Sequence, residues 1–115
     1  MNDTPHAASG LARLARLANE RQLPAVTSAT DSSPPSLAVD GTPFIQMHDA
    51  ATALLHCPVD QKVLLMEISP EIYFETDDMI GENAMLIRLD RIDDEELSLR
   101  LHDAWTYRAP SHLQP

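Results

Sequence analysis

One cysteine, three glycines, and one tryptophan with two tyrosines and two phenylalanines leave this 115-residue chain short of several kinds of raw material. A lone Cys57 cannot close an intrachain disulfide, so a disulfide-stapled secreted scaffold is excluded and a reducing compartment is expected. Glycine stands only at 10, 41 and 81, which leaves no glycine-rich phosphate loop and no Gly-x-Ser-x-Gly nucleophile elbow. No apolar run approaches the ~20 residues that cross a bilayer. Met1 to Gly10 lack the basic start and apolar core of a secretory signal. Together these absences predict a cytoplasmic protein that is not associated with a membrane.

What is present in excess is negative charge. The chain carries 18 acidic and 8 basic side chains, a formal net charge of −10. The excess is uneven, because residues 63–115 hold twelve of the acids and only four of the bases. Such a field repels polyanions at long range and favours solubility or basic partners. The length suits one domain spanning 1–115, with residues 1–9 as a loose N-terminal tail, and is enough to build a core without metal or disulfide support.

Periodicity divides the chain into short elements. Leu11, Leu14, Ala15 and Ala18 form one apolar stripe on a helix over residues 8–21, with Ser9 or Thr4 as its cap and Pro24 beyond its end. Ala25 to Ser36, rich in Ser, Thr, Asp and Pro, reads as a loop. Asp40-Gly41 predicts a two-residue type I′ turn between strands at 36–39 and 42–48. A second turn near Asp49-Ala50 leads to a strand over 51–57. Pro43 suggests that its strand lies at a sheet edge or starts late, and an open edge there would permit a weak dimer of an otherwise monomeric chain.

Pro58 opens a helix over 58–68, with Val59, Val63, Leu64 and Met66 on its apolar side and Asp60, Lys62 and Glu67 on its polar side. Strands follow at 71–75 and 84–89. Asp93 with Glu96 three residues later forms a capping-box arrangement that starts the last helix. Leu97, Leu101, Ala104 and Trp105 line its buried face. The order α-β-β-β-α-β-β-α predicts an α+β fold with a five-stranded antiparallel sheet and helices packed on it.

No constellation of residues reads as catalytic or metal-binding, and no cofactor is implied. His48, His56 and Cys57 match no zinc spacing. In the expected hairpin His48 faces Ala51 and His56 faces Pro43, which separates the two imidazoles by the length of the strand pair. Cys57 reads as a small buried apolar residue. The acids at 93–96 belong to a helix first turn, where negative charge complements the helix dipole, and those at 75–78 lack the spacing of a calcium loop. A small enzyme or ligand binder would instead need a pocket between helix and sheet with convergent polar groups.

One resemblance adds to this reading. Pro70-Glu71-Ile72-Tyr73-Phe74-Glu75-Thr76-Asp77, then Met85-Leu86-Ile87-Arg88-Leu89, then Asp103-Ala104-Trp105 with Ala109-Pro110, follow a cadence similar to that of the MmcQ/YjbR family of small bacterial proteins. The likeness covers residues 10–115. It implies a compact α+β domain with helices on an antiparallel sheet, a non-enzymatic binding role, and the DNA-binding label that the family carries. Arg88, Trp105, Arg108 and His112 are the binding residues it points to. The chain departs from the family pattern where cations are usual: Ala38, Asp40 and Thr42 flank the first hairpin, and Ser111 and His112 follow the final Ala-Pro. The strand order is also similar to that of small acidic secretion chaperones, so a protein partner is the alternative to nucleic acid.

Overall fold

The computed structural model describes residues 7–29 and 34–114. Helix α1 spans Ala7–Glu20. Four strands follow, β1 (Val26–Ala29), β2 (Ser36–Val39), β3 (Thr42–Asp49) and β4 (Thr52–His56), then α2 (Val59–Ile68), β5 (Tyr73–Phe74), β6 (Ala84–Arg88) and α3 (Asp94–Arg108). Of the tail expected over 1–9, residues 7–9 belong to α1 and the rest lie outside the described residues, as does the cap candidate Thr4. Ser9, the other candidate, falls inside the helix as its third residue.

Among the described residues the sheet has six strands, not five, in the order β1-β2-β3-β4-β6-β5, and every neighbouring pair is antiparallel. The additional strand, β1, lies inside the stretch expected to be loop. It pairs Val26 with Val39 and Ala29 with Ser36, so its ladder comes from β2 and not from any pattern of its own. The turn leading into it bends through two non-glycine residues in left-handed backbone, Gln22 (φ 59°) and Ala25 (φ 60°). Each such residue costs on the order of 1 kcal/mol and persists only where its surroundings hold it. Here the Trp105 indole Nε1 donates to the Pro24 carbonyl at 2.9 Å and the Leu23 amide donates to Ala18 O at 3.2 Å.

The Asp40-Gly41 turn has φ of 50° and 84° at its two central residues, as a type I′ hairpin requires. Pro43 is not in an edge strand, because β3 lies between β2 and β4. It sits near the start of β3, paired with Ala38 beside a register shift in β2, which is where a sheet tolerates a missing N–H. The open edges are β1 and β5, so no edge near Pro43 is available for dimerisation. The β3–β4 pairing differs from expectation by two residues at its turn, where Asp49 faces Thr52, and by one residue beyond the register shift between Met47 and Asp49, where Ile45 faces Leu55.

Alternation then sorts the side chains. Leu37, Ile45, Met47, Ala53, Leu55, Met85, Ile87 and Tyr73 share one face of the sheet through the cross-strand register and are all buried. Helix α1 packs on β2 and β3, α3 packs on β3 and β4, and the two helices pack on each other. Leu11, Leu14, Leu97, Leu101 and Ala104 complete that core, each 1% exposed or less. Arg13 fastens α1 to the turn before α3, donating to Leu89 O at 2.6 Å, Ile92 O at 2.7 Å and Asp94 Oδ1 at 2.8 Å. At the start of α3 the Asp93 carboxylate accepts from the Glu96 amide at 2.8 Å. The Glu96 carboxylate accepts from the Tyr73 hydroxyl, tying the helix start to β5.

β4 and β5 run parallel with β6 between them, so the chain must cross over, and α2 is the crossover. It packs against β5 and β6 and meets α3 through a hydrogen bond from Gln61 to Asp103.

Two of the leucines of α3, Leu101 and Leu99, separate core from surface. Leu101→Ala should lower the unfolding free energy by about 2–5 kcal/mol through transfer and cavity terms. Leu99→Ala, at a position 42% exposed, should stay within about 0.5 kcal/mol. Urea denaturation of both variants checks the contrast.

Candidate functional site

The four residues singled out by sequence do not form one surface. Arg88 ends β6 opposite Thr52. Its guanidinium lies 3.9 Å from the centroid of the Phe74 ring, with a long hydrogen bond of 3.4 Å to Pro70 O. Arg108 closes α3 and donates from Nε to Pro43 O at 3.1 Å. It lies close enough to His56 to lower that imidazole's pKa, second to the effect of burial. His56 faces Ala84 at the other end of β6, so Arg108 lies toward the Ala84 end of that strand and Arg88 at its far end, about four residues or ~13 Å along the strand. Trp105 is 3% exposed and spends its only donor on Pro24, so it is a core residue and not a stacking platform. His112 is exposed in a short 3₁₀ turn, Ser111–Leu113, beyond α3.

The cations in general are already engaged. Arg16 bridges Asp94 at 2.9 Å and Glu20 at 3.1 Å, and Arg100 bridges Asp103 at 3.1 Å. Asp94, between Arg16 and Arg13, is held below the ordinary carboxylate range by their hydrogen bonds.

Lys62 is the most consequential cation, and its position reverses the expectation for α2. Its side chain is buried at 1% exposure. Nζ donates to Met79 O at 2.9 Å and Glu82 O at 2.7 Å and lies 2.7 Å from Glu75 Oε1. That oxygen is enclosed and has no other partner, so the ammonium and the carboxylate each satisfy the other's charge away from water. Lys62, Leu65 and Met66 make up the inner side of the helix, and the two apolar residues pack on the main core. Val63 and Leu64, expected on the buried side, are 53% and 54% exposed, and Ile68 is 66% exposed. Leu64 and Ile68 are four residues apart and form one outward stripe with Val63 beside it. Ile80, in the loop that Lys62 fastens down, is likewise 66% exposed.

Sequence periodicity could not have chosen the face. Val63-Leu64-Leu65-Met66 are four consecutive apolar residues, and at 100° per residue they spread around most of a helix. Some of them must be exposed whichever side turns inward. The legible signal was the run itself, which marks a helix apolar nearly all round.

Two open clefts are the other candidates. One of about 410 Å³ is lined by Pro58, Gln61, His102, Asp103, Thr106 and Tyr107. Its amide and carboxylate are paired with each other, Gln61 Nε2 donating to Asp103 at 2.8 Å. The second, of about 460 Å³, runs from Glu20 to Pro24 past His102, Trp105 and Leu113. The two groups whose protonation is displaced furthest line neither cleft. Burial pushes the Cys57 thiol up to about 11. Tyr73 is raised by burial and then by its hydrogen bond to Glu96. Among the described residues no group of three or more His, Cys, Asp or Glu could hold a metal ion. No helix among them is long and apolar enough to cross a membrane.

In comparison with known proteins, no family model, curated protein or solved structure matches the chain.

Two outcomes follow from these buried groups. Lys62→Met should destabilise the domain by about 3–5 kcal/mol, because it strands Glu75 and two carbonyls in a dry site; thermal and urea unfolding read the loss. Cys57 should resist iodoacetamide in the native protein at neutral pH and react on unfolding in denaturant. A thiol pKa raised in the folded state contributes stability that is present at neutral pH and lost as pH climbs past the ordinary thiol value of about 8.5. The unfolding midpoint should therefore fall across that alkaline window.

Proposed function

We propose that this chain is a non-enzymatic binding module of the MmcQ/YjbR type, and that it docks a protein partner on the outer side of α2. The observation that carries this reading is the stripe of Val63, Leu64 and Ile68, each more than half exposed on a helix whose one lysine is turned inward. A helix that is apolar on both sides is ordinarily covered on both sides, and contiguous exposed aliphatics mark contact surfaces more often than they occur on bare ones. The surroundings add to it: Asp60, Glu67 and Glu71 flank the stripe and are exposed.

The nucleic-acid label draws less support from the same geometry. Phosphate contacts call for available Lys, Arg or amide donors. Arg13, Arg16, Lys62, Arg88, Arg100 and Arg108 are each committed to a carboxylate, a carbonyl or a ring. Arg21 and Arg91 are the remaining two of the eight basic side chains, against a net charge of −10.

The test is a pair of fluorescence anisotropy titrations on dilute protein at low salt. Labelled duplex DNA should give no saturable binding. A labelled synthetic amphipathic helix of leucine and lysine should bind saturably, and Leu64→Asp should weaken that binding at least tenfold without changing the circular dichroism spectrum. Saturable, salt-sensitive DNA binding would replace this reading with the nucleic-acid one.

A further inference from the structure

We infer that the open edge of β1 is a separate docking surface, which takes an extended segment of a partner protein as an added strand, with aliphatic and basic residues in alternation. Among the described residues β1 has a neighbouring strand on one side only. The Asp40 amide donates to Ala25 O at 3.1 Å, and Thr27 faces Ala38 in the same register. Antiparallel strands exchange bonds at every second residue, so the bonds to β2 fall at Ala25 and Thr27. Val26 and Ser28 direct their N–H and C=O groups to the open side.

Such a row is a template for another strand, and sheets ordinarily block it with charge, proline or a bulge. Val26–Ala29 carries no charged residue and no proline, and it pairs with β2 without a register shift. The other edge, β5, is two residues long and offers no comparable row.

The face beside this edge selects the side chains. Val26 and Ser28 share the side of the sheet on which Val39 and Leu37 are buried, the side that α1 covers. Helix α1 packs on β2 and β3, and its small residues Ala15 and Ala18, with Asn19, leave a trough of about 230 Å³ that Leu23, Val26 and Ser28 complete. That is below the roughly 300 Å³ at which small-molecule pockets begin, and it runs beside the strand edge. An antiparallel strand exchanging bonds with Val26 and Ser28 turns the two residues opposite them toward this trough. Ala15, Leu23 and Val26 are apolar and partly buried there, so aliphatic side chains fit at those alternate positions. The residue between them lies opposite Thr27 on the other face, and Thr27 is exposed. The net charge of −10 attracts a basic segment and repels an acidic one, which places lysine or arginine at the exposed positions. A second copy of the chain, carrying the same −10, is disfavoured on the same ground. In this mode backbone bonds supply affinity and alternate side chains supply selectivity.

The probe is a blocked peptide of alternating lysine and valine, too short to hold a helix in water, titrated into isotope-labelled protein and followed by amide chemical shifts. Saturable shifts should centre on Val26, Ser28 and Ala15. Exchanging the valines for serine, or methylating the valine nitrogens, should each weaken binding at least tenfold. Ser28→Pro removes an N–H that points away from β2, a position where an edge strand tolerates proline. It should weaken binding to the same extent and leave the thermal midpoint in place. Leu64→Asp should bind the peptide as the wild type does, which separates this edge from the outer side of α2. The inference is overturned by an absence of saturable shifts at millimolar peptide, or by equal binding of the serine or N-methylated peptide. Binding that survives in folded Ser28→Pro, or that is lost in Leu64→Asp, overturns it too. A wild-type dimer that Ser28→Pro dissociates gives the edge to a second copy and overturns the choice of a basic partner.

Discussion

Lys62 is an ammonium with no access to water, and the organisation of the second half of the chain depends on what that charge requires. Unsolvated, it must be paired and hydrogen-bonded, and it is met by Glu75 and by the carbonyls of Met79 and Glu82. Those partners come from the segment joining β5 to β6, so one side chain on the crossover helix fixes both the loop and the rotation of the helix about its axis. Once Lys62 points inward, Leu65 and Met66 follow it one turn later and Val63, Leu64 and Ile68 are left outside. An aliphatic surface is thus a consequence of where a polar group is buried.

The packing of α1 and α3 is organised by the same chemistry with different residues. Arg13 supplies its fork to Leu89 O, Ile92 O and Asp94, closing α1 onto the turn that starts α3, and Trp105 secures the strained turn at Pro24. Arg108 holds the start of β3 through Pro43. Side chains whose types suggest ligand binding, two arginines and a tryptophan, are largely occupied in holding backbone carbonyls. In an acidic chain with few cations this has a functional consequence. The negative field is opposed by few uncommitted cations, Arg21 and Arg91, and the α2 docking face proposed above is apolar area with carboxylates at its border.

The clefts fit that picture. Both are open, and each contains a pair that satisfies itself, Gln61 with Asp103 in the first and Trp105 with the Pro24 carbonyl in the second. The strongly shifted thiol and phenol owe their shifts mainly to the packed interior. The binding role proposed above requires no more than this, because its specificity would come from shape and area and not from a tuned proton.

Much was determined by sequence alone where the cause is local. The Asp40-Gly41 turn follows from a backbone conformation that these two residues reach easily. The start of α3 follows from a carboxylate placed to accept its third amide, and the buried stripes of α1 and α3 follow from spacing. The α+β class followed from the order of these pieces. Tertiary structure decided everything that required a partner distant in sequence. Val26–Ala29 is a strand because β2 offers it a ladder, and nothing in its own residues distinguishes it from loop. The β3–β4 register depended on a turn that closes at Asp49 and Thr52 and on a bulge near His48, neither of which has a local signature as clear as Asp40-Gly41. The separation of Arg88 from Arg108 became visible only when the strand between them was laid down. For α2, a run of four apolar residues made either face acceptable to the core, and the choice fell to a buried lysine whose acceptors lie 13 to 20 residues further along the chain.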